Sequence, residues 1–356
     1  MADKKNVRKK KTGKKRTAKR FLFLFVEIIV LAALSVVAYA MFKYDKFQKV
    51  SLDEGDIQVN EGVEKEGYTT IALFGGDSRD GVLEEGTHAD CIIVVSIDNQ
   101  TKEIRMSSIY RDTYLKQQDG NYKKANNAYF VGGPKDAINM LNENLDLAIQ
   151  DYATVDFKAL SDAVDLLGGI EIEITEEEVG EINSFIDETA MVAGKEAIHL
   201  TKPGIQTLDG VQATTYARIR STAGGDYKRA ERQRIVIEKS LEKVKTTNVV
   251  RLNSMIDVIL PQVSTSFGLT ELVGLAADVT QYSLGETAGF PYELKGETFP
   301  ACGFVNVPLG HAENVQELHA FLYPKESYQP SERVLTIADE IANNTGYTRS
   351  DVGIVE

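Results

Sequence analysis

The sequence predicts an α/β domain, helices layered on a β-sheet, carried behind one N-terminal transmembrane helix. Short β-branched runs, of which residues 91–97 (CIIVVSI) are the clearest, alternate along the chain with segments of helical period, and that alternation is the mark of a layered α/β sheet. The membrane helix rests on residues 21–42, which are apolar apart from Glu27, Ser35 and Tyr39. About 20 such residues span a bilayer.

Taken in order, residues 1–20 hold eleven Lys or Arg and a single Asp, a charge of +10. A basic flank of that kind stays in the cytoplasm, so the rest of the chain is expected outside the cell. The competing reading is a cleaved signal peptide, because Ala38-Tyr39-Ala40 resembles a small-residue cleavage site; the apolar run is longer than the usual ~7–15 residues and favours an uncleaved anchor. With −13 overall, the remainder carries −23, an acidic excess that argues against general nucleic-acid binding. Residues 43–68 are polar without sustained period and read as an extracellular stalk.

The folded domain is placed at 69–325, with a C-terminal helix and tail at 326–356. Residues 70–74 form a short apolar strand running into Gly75-Gly76-Asp77. The run at 91–97 is nearly continuous, as expected of a strand covered on both faces, and 103–109 follows it across a polar turn as a hairpin. Residues 134–145 have helical spacing, with Pro134 suited to a first turn. Next come a strand at 151–157, a helix at 158–167 stopped by Gly168-Gly169, a strand at 170–174 and an acidic helix at 176–191. A long helix starts at Asp226, placed to cap it, with Ala230, Ile237, Leu241 and Val244 on one apolar face. Residues 251–282 read as two helices, 289–309 as strand and turn, and 330–344 as a terminal helix. Residues 310–329 fit either the core or an appended segment.

Two cysteines, Cys91 and Cys302, are either paired or two buried thiols; spacing does not decide. No Cys or His pair has zinc-site spacing, and no G-x-S-x-G elbow, Walker A loop or H-E-x-x-H occurs.

Chemistry gathers in one stretch. Beyond residue 20 there are eleven arginines, and five fall at positions 218, 220, 229, 232 and 234. Guanidinium forks suit carboxylate or phosphate oxygens, and a helix N-terminus beside them favours an anion. Arg229 and Gln233 lie one turn apart at the border of the apolar face. Arg232 and Arg234 read instead as surface residues that pair with Glu231 and Glu238 on a solvated face. Arg105, on a strand, reads as structural.

With these residues in hand, the chain resembles the LytR-CpsA-Psr family of membrane-anchored cell-wall glycopolymer transferases, over residues 70–245. Ordered motifs carry the resemblance: Gly75-Gly76-Asp77-Ser78-Arg79, His88-Ala89-Asp90-Cys91, and Ser108-Ile109-Tyr110-Arg111-Asp112-Thr113. Asn127-Ala128-Tyr129, Gly132-Gly133-Pro134 and Leu208-Asp209-Gly210 follow, then Arg218-Ile219-Arg220 and Asp226 with Arg229-Ala230-Glu231-Arg232-Gln233. The resemblance implies an α-β-α layered domain with a central mixed sheet. It implies that Asp77 and Asp90 hold Mg²⁺ (or Mn²⁺), and that Arg79, Arg111, Arg218, Arg220, Arg229 and Gln233 bind the pyrophosphate of a polyprenyl-linked glycan whose lipid tail enters an apolar pocket. Asp77, Asp90, Arg111 and Arg218 would be the catalytic set, and peptidoglycan the acceptor, through the C6 hydroxyl of N-acetylmuramic acid. A hydrolase acting on the same lipid and a non-catalytic, membrane-tethered regulator that holds the lipid carrier are the alternatives. Two departures stand out. His88 replaces the family's usual arginine, exchanging a permanent charge for an imidazole, and Tyr110 replaces a proline, which is expected to relax the loop aiming Arg111.

Overall fold

The computed structural model describes residues 38–39, 41–46, 48–49, 52, 55–63, 65–76, 83 and 86–351. The chain divides into Met1–Lys46 and Phe47–Glu356. In the first unit residues 41–44 are helical. Most of the span expected at 21–42 lies outside the described residues, and among the described residues no helix is long and apolar enough to cross a membrane.

The second unit is built on a seven-stranded mixed sheet: β1 (Gln48–Lys49), β2 (Tyr68–Gly76), β3 (Ala89–Asp98), β4 (Glu103–Ile109), β7 (Asp151–Asp156), β10 (Val263–Thr265) and β11 (Ser283–Phe290), in the order β1-β10-β7-β2-β3-β4-β11. β5 (Tyr114–Lys116) pairs with β6 (Tyr122–Lys124), β8 (Ile170–Ile174) with β9 (Gly204–Leu208), and β12 (Leu294–Phe299) with β13 (Gly303–Pro308). β2, β3 and β4 are antiparallel, Ile71 opposite Val95 and Ile97 opposite Ile104, while β7 and β11 flank them in parallel.

Side chains alternate across a strand, and both sides of this sheet are apolar. Ala72, Phe74, Ile92 and Val94 face a core shared with Ala137, Ile138 and Leu141 of α1 (Asn126–Leu145) and with Val315, Leu318 and Leu322 of α8 (His311–Leu322). Ile71, Ile93, Val95 and Met106 face the opposite core, against Ile237 and Leu241 of α5 (Gly225–Thr246) and Leu272 and Leu275 of α7 (Leu269–Ala277). The expected α-β-α layering is therefore present. Each fully buried aliphatic side chain contributes about 1.5–3 kcal/mol to holding the layers together. A third core joins β8 and β9 to α2 (Phe157–Leu167), α3 (Glu176–Ala193) and α4 (Gly210–Arg218).

Several elements differ from the sequence reading. α1 starts at Asn126, not 134; Gly132 and Gly133 leave helical geometry, Gly133 at φ 63°, so Pro134 opens the second limb of a kinked helix. α5 is preceded by Gly224 at φ 91° with no side-chain cap, so Asp226 lies inside the first turn rather than capping it. Between α6 (Val249–Ile259) and α7, the two helices expected at 251–282, the chain adds β10, too short to show a period. Residues 310–329 belong to the core through α8. Part of the segment read as a stalk packs on the domain: β1 pairs with β10, the Gln58 amide donates to Asn139 Oδ1 at 2.7 Å, and Asn60 Nδ2 donates to Asp146 Oδ1 at 2.6 Å. Backbone pairing and polar side-chain bonds need no hydrophobic period. The terminal helix α9 (Glu332–Thr345) also joins the domain, placing Val334 in the first core and Ile337 and Ile341 against Val305 and Val307. Both cysteines are free. Arg105 lies on β4, paired with Glu103 at 2.9 Å.

Candidate functional site

β2 ends, β3 begins and β4 ends at the same margin of the sheet, because Gly75 lies opposite Cys91 and Ile93 opposite Ser108. That register sets Asp90 beside Arg111. α4 ends at Arg218, a turn carries Arg220, and α5 then brings Arg229 to the same place. Arg111 Nη1 donates to Asp90 Oδ1 at 2.8 Å, Arg220 Nη2 to Asp90 Oδ2 at 2.7 Å, and Arg229 Nη2 to the Asp90 carbonyl at 3.2 Å. Asp226 Oδ1 lies 2.7 Å from Arg229 Nη2 and 3.8 Å from the Nε atoms of Arg111 and Arg220. Asp226, read as a cap, is thus the second carboxylate of the arginine cluster.

These groups open on a cleft of about 690 Å³ lined by His88, Asp90, Arg111, Asp112, Lys124, Asn126, Phe157, Phe185, Glu188, Thr215, Arg218, Ile219, Arg220, Ser221, Arg229 and Gln233. Arg218 Nη1 donates to Thr189 Oγ1 at 2.9 Å, and its guanidinium carbon sits 4.5 Å from the centre of the Phe157 ring, a cation–π contact. Five basic side chains face three carboxylates on this lining, in a protein of net charge −13. Burial penalises the charged form of Arg229; Arg220 and Arg111 add repulsion, and Asp226 and Asp90 only partly offset it. Arg229 stays a cation all the same. Its Nε and Nη1 and the Nε of Arg111 have no hydrogen-bond partner among the described residues. The nearest carboxylate oxygens stand at ion-pair distance, Asp112 Oδ2 3.5 Å from Arg111 Nε and Asp90 Oδ2 3.9 Å from Arg229 Nη1. For Asp90 burial pushes the carboxyl up, but the charge and hydrogen bond of Arg111, with the charges of Arg229 and Arg220, outweigh it and hold the carboxyl below its usual range.

Of the residues singled out from sequence, Asp90, Arg111, Arg218, Arg220, Arg229 and Gln233 line this one cleft. Asp77 and Arg79 lie outside the described residues. His88 lines the rim, stacked on Phe130 with ring centres 4.4 Å apart. Tyr110 does not leave its turn loose: its N–H donates to the Phe290 carbonyl at 3.0 Å, and its own carbonyl accepts from the Thr113 amide at 2.9 Å. Proline would lack the first of these bonds. Gly289 makes room for the Tyr110 ring, since a Cβ there would lie 2.1 Å from the hydroxyl.

Arg232 and Arg234 are not on a solvated face. Arg232 is buried and donates from Nε to Glu178 Oε1 at 2.9 Å, and Arg234 is buried with Nη1 donating to Ser108 Oγ at 2.7 Å. α5 is covered by α4 and β8 as well as by β4 and β11, so both flanks of its apolar stripe are enclosed. The sequence reading missed Lys124, Asn126, Phe157, Phe185, Glu188 and Thr215. Only Asp112, next to Arg111 in its motif, had a local signal.

Fold and cleft together define a layered α/β protein with an arginine-lined cleft. The LytR_cpsA_psr family model matches residues 33–298, and the chain belongs to that family. It is 28% identical over 305 residues, 81% of this chain and 92% of the relative, to the polyisoprenyl-teichoic acid–peptidoglycan teichoic acid transferase TagT of Bacillus subtilis (strain 168). Biofilm regulatory protein A of Streptococcus mutans serotype c is 28% identical over 79% of this chain and 71% of its own. A solved structure of the LytR-CPS2A-psr family protein YwtF (TagT) with bound octaprenyl pyrophosphate lipid superposes with a TM-score of 0.54 at 20% identity, over 83% of this chain and 99% of that one, so the two share a fold.

Proposed function

We propose that this chain is a membrane-anchored phosphotransferase that moves a glycopolymer from a polyprenyl-pyrophosphate carrier to a peptidoglycan hydroxyl, the C6 hydroxyl of N-acetylmuramic acid. One observation carries the reading: Arg111, Arg218, Arg220 and Arg229, from distant parts of the chain, converge on one cleft. Pyrophosphate oxygens match such a set of guanidinium forks. The name of the TagT relative, a transferase from polyisoprenyl-teichoic acid to peptidoglycan, supports donor and acceptor of this class.

In the proposed reaction the acceptor hydroxyl oxygen attacks the phosphorus that bears the glycan and gives up its proton to water. The bond from that phosphorus to the bridging oxygen breaks, and polyprenyl phosphate leaves. Charge builds on the leaving phosphate, where arginines fixed before the reaction stabilise it most. Arg111 and Arg220 are held by Asp90, Arg229 by Asp226, and Arg218 by Thr189 and the Phe157 ring, so little reorganisation is needed. The depressed Asp90 carboxyl is a weak base, better suited to holding cations than to taking the acceptor's proton.

Asp90 also fits the proposed Mg²⁺ (or Mn²⁺). Each of its oxygens accepts one guanidinium bond, which leaves lone pairs for a hard cation, and Asp77 is proposed as the second ligand. Such an ion, when bound, would lower the cost of negative charge on the phosphates. We place residues 1–20 in the cytoplasm, the span at 21–42 and the domain outside the cell.

The test incubates the full chain in detergent with a polyprenyl-pyrophosphoryl glycan, Mg²⁺ and peptidoglycan oligomers. A covalent glycan–peptidoglycan product, lost in Asp90→Ala and Arg218→Ala, is expected. Free glycan phosphate as sole product would make the protein a hydrolase, and lipid binding without turnover a tethered regulator.

A further inference from the structure

Four arginines serve the proposed pyrophosphate site, whereas Arg232 is buried, is not on the cleft lining, and hydrogen-bonds to that lining at the Ile219 carbonyl. We propose that Arg232 is a positioning residue, a clamp on the turn that carries Arg218 and Arg220; the proposal rests on the pyrophosphate reading above. Its guanidinium spends its donors on three elements. Nε donates to Glu178 Oε1 at 2.9 Å, Nη1 to the Ile219 carbonyl at 3.3 Å and Nη2 to Thr222 Oγ1 at 2.7 Å. Ile219 separates the two cleft arginines, and Thr222 is the middle of the turn that follows.

The turn needs such a clamp. It ends in Gly224 and Gly225, both at positive φ, so its backbone is less restricted by sterics than most. It also has to hold Arg220 near Arg111 and Arg229, against like charge. Asp90 and Asp226 offset that repulsion at the guanidinium heads, while beneath them the buried Ile219 side chain, the Gly225 amide on the Thr222 carbonyl and the two Arg232 bonds fasten the turn. Glu178 extends the tie: its Oε2 accepts from the Thr175 amide at 3.0 Å, capping α3. The same helix supplies Thr189, which holds Arg218. One planar fork thus links α3, the end of α4 and the turn, a span that a lysine's single nitrogen does not reproduce. A buried ion pair with Glu178 alone would stabilise the fold without either bond to the turn.

The test leaves that ion pair intact. Thr222→Val removes only the hydroxyl that Arg232 grips, and Thr222→Ser restores it. Binding of inorganic pyrophosphate to the full chain in detergent is measured by calorimetry. Thr222→Val is expected to weaken binding about 3- to 10-fold, as for one lost hydrogen bond, and Thr222→Ser to bind as the wild type does. In an Arg220→Ala background, Thr222→Val is expected to weaken binding by a smaller factor than in the wild type, because only Arg218 is then left for the turn to aim. Unaltered binding by Thr222→Val, or an equal loss with and without Arg220, overturns the clamp while leaving the pyrophosphate site standing. A wild-type chain that binds no pyrophosphate overturns both.

Discussion

Replacing Arg229 by Met separates the structural share of the cleft from its ligand-binding share. Arg229 is 3% exposed and lies 2.7 Å from Asp226. Breaking a buried pair by removing one partner costs about 3–5 kcal/mol. Here Asp226 keeps Arg111 and Arg220 at 3.8 Å, and Met also relieves a desolvated charge, so a loss near 3 kcal/mol is expected. The ligand side is independent of that figure. A hydrogen bond to a charged group contributes about 1.5–3 kcal/mol, so losing even one to pyrophosphate raises Kd roughly 10- to 150-fold. Calorimetry reads the Kd, and denaturant unfolding with and without ligand reads the linkage. At a pyrophosphate concentration 100 times the wild-type Kd, the wild type gains about 2.7 kcal/mol, whereas a variant with Kd raised 100-fold gains about 0.4 kcal/mol. Arg229→Met that folds and still binds pyrophosphate within threefold of the wild type would refute the assignment of Arg229 to the anion.

Three further outcomes follow from the packing. Asp146 is fully buried and accepts from Asn60, Tyr328 and Ser331; Asp146→Ala should cost about 2–4 kcal/mol by stranding those donors, and an unfolding midpoint near that of the wild type would contradict it. His311 and His319 are buried with their Nε2 atoms on the Asn144 and Leu145 carbonyls, and burial depresses both to about 4. The unfolded chain therefore binds more protons below the ordinary ~6.5, and stability should fall as pH drops from about 6.5 towards 4, by up to roughly 3 kcal/mol per histidine; urea midpoints that stay level across that window would count against it. Gly210 opens α4, and a Cβ there would lie 2.0 Å from the Ser161 carbonyl oxygen. Gly210→Ala should cost about 1–3 kcal/mol and weaken pyrophosphate binding by shifting Arg218; a variant of wild-type stability and affinity would show that α2 and α4 yield freely.

The longer central strands β2, β3, β4 and β7 were legible because apolar content is local: the CIIVVSI run needs two covered faces, and Ile71 and Ala72 alternate between them in the structure as period two requires, whereas β5, β6, β9 and most of β11 were not read as strands. The glycine stop at 168–169 and the helix it closes were legible for the same reason. Half of the cleft was legible too, since Arg218, Arg220 and Arg229 fall in the stretch where the sequence concentrates its arginines. What the pattern could not carry was partnership. Arg229 and Arg232 sit three residues apart on one helix; Asp226, one turn before Arg229, is a local partner, but Asp90 and Glu178, both distant in sequence, decide where each guanidinium goes. β10, too short for a period, and Asp226, a plausible cap, failed for the same reason.

By itself, then, the sequence determined the layered α/β class, the faces of its strands and the gathering of positive charge, because each is a property of residue type and spacing. The tertiary structure decided which arginines face the cleft, which one braces it from behind and which carboxylates hold them. Those depend on the register of β3 against β2 and β4 and on the close packing of α3, α4 and α5, where a guanidinium finds its acceptor only after elements distant in sequence have met.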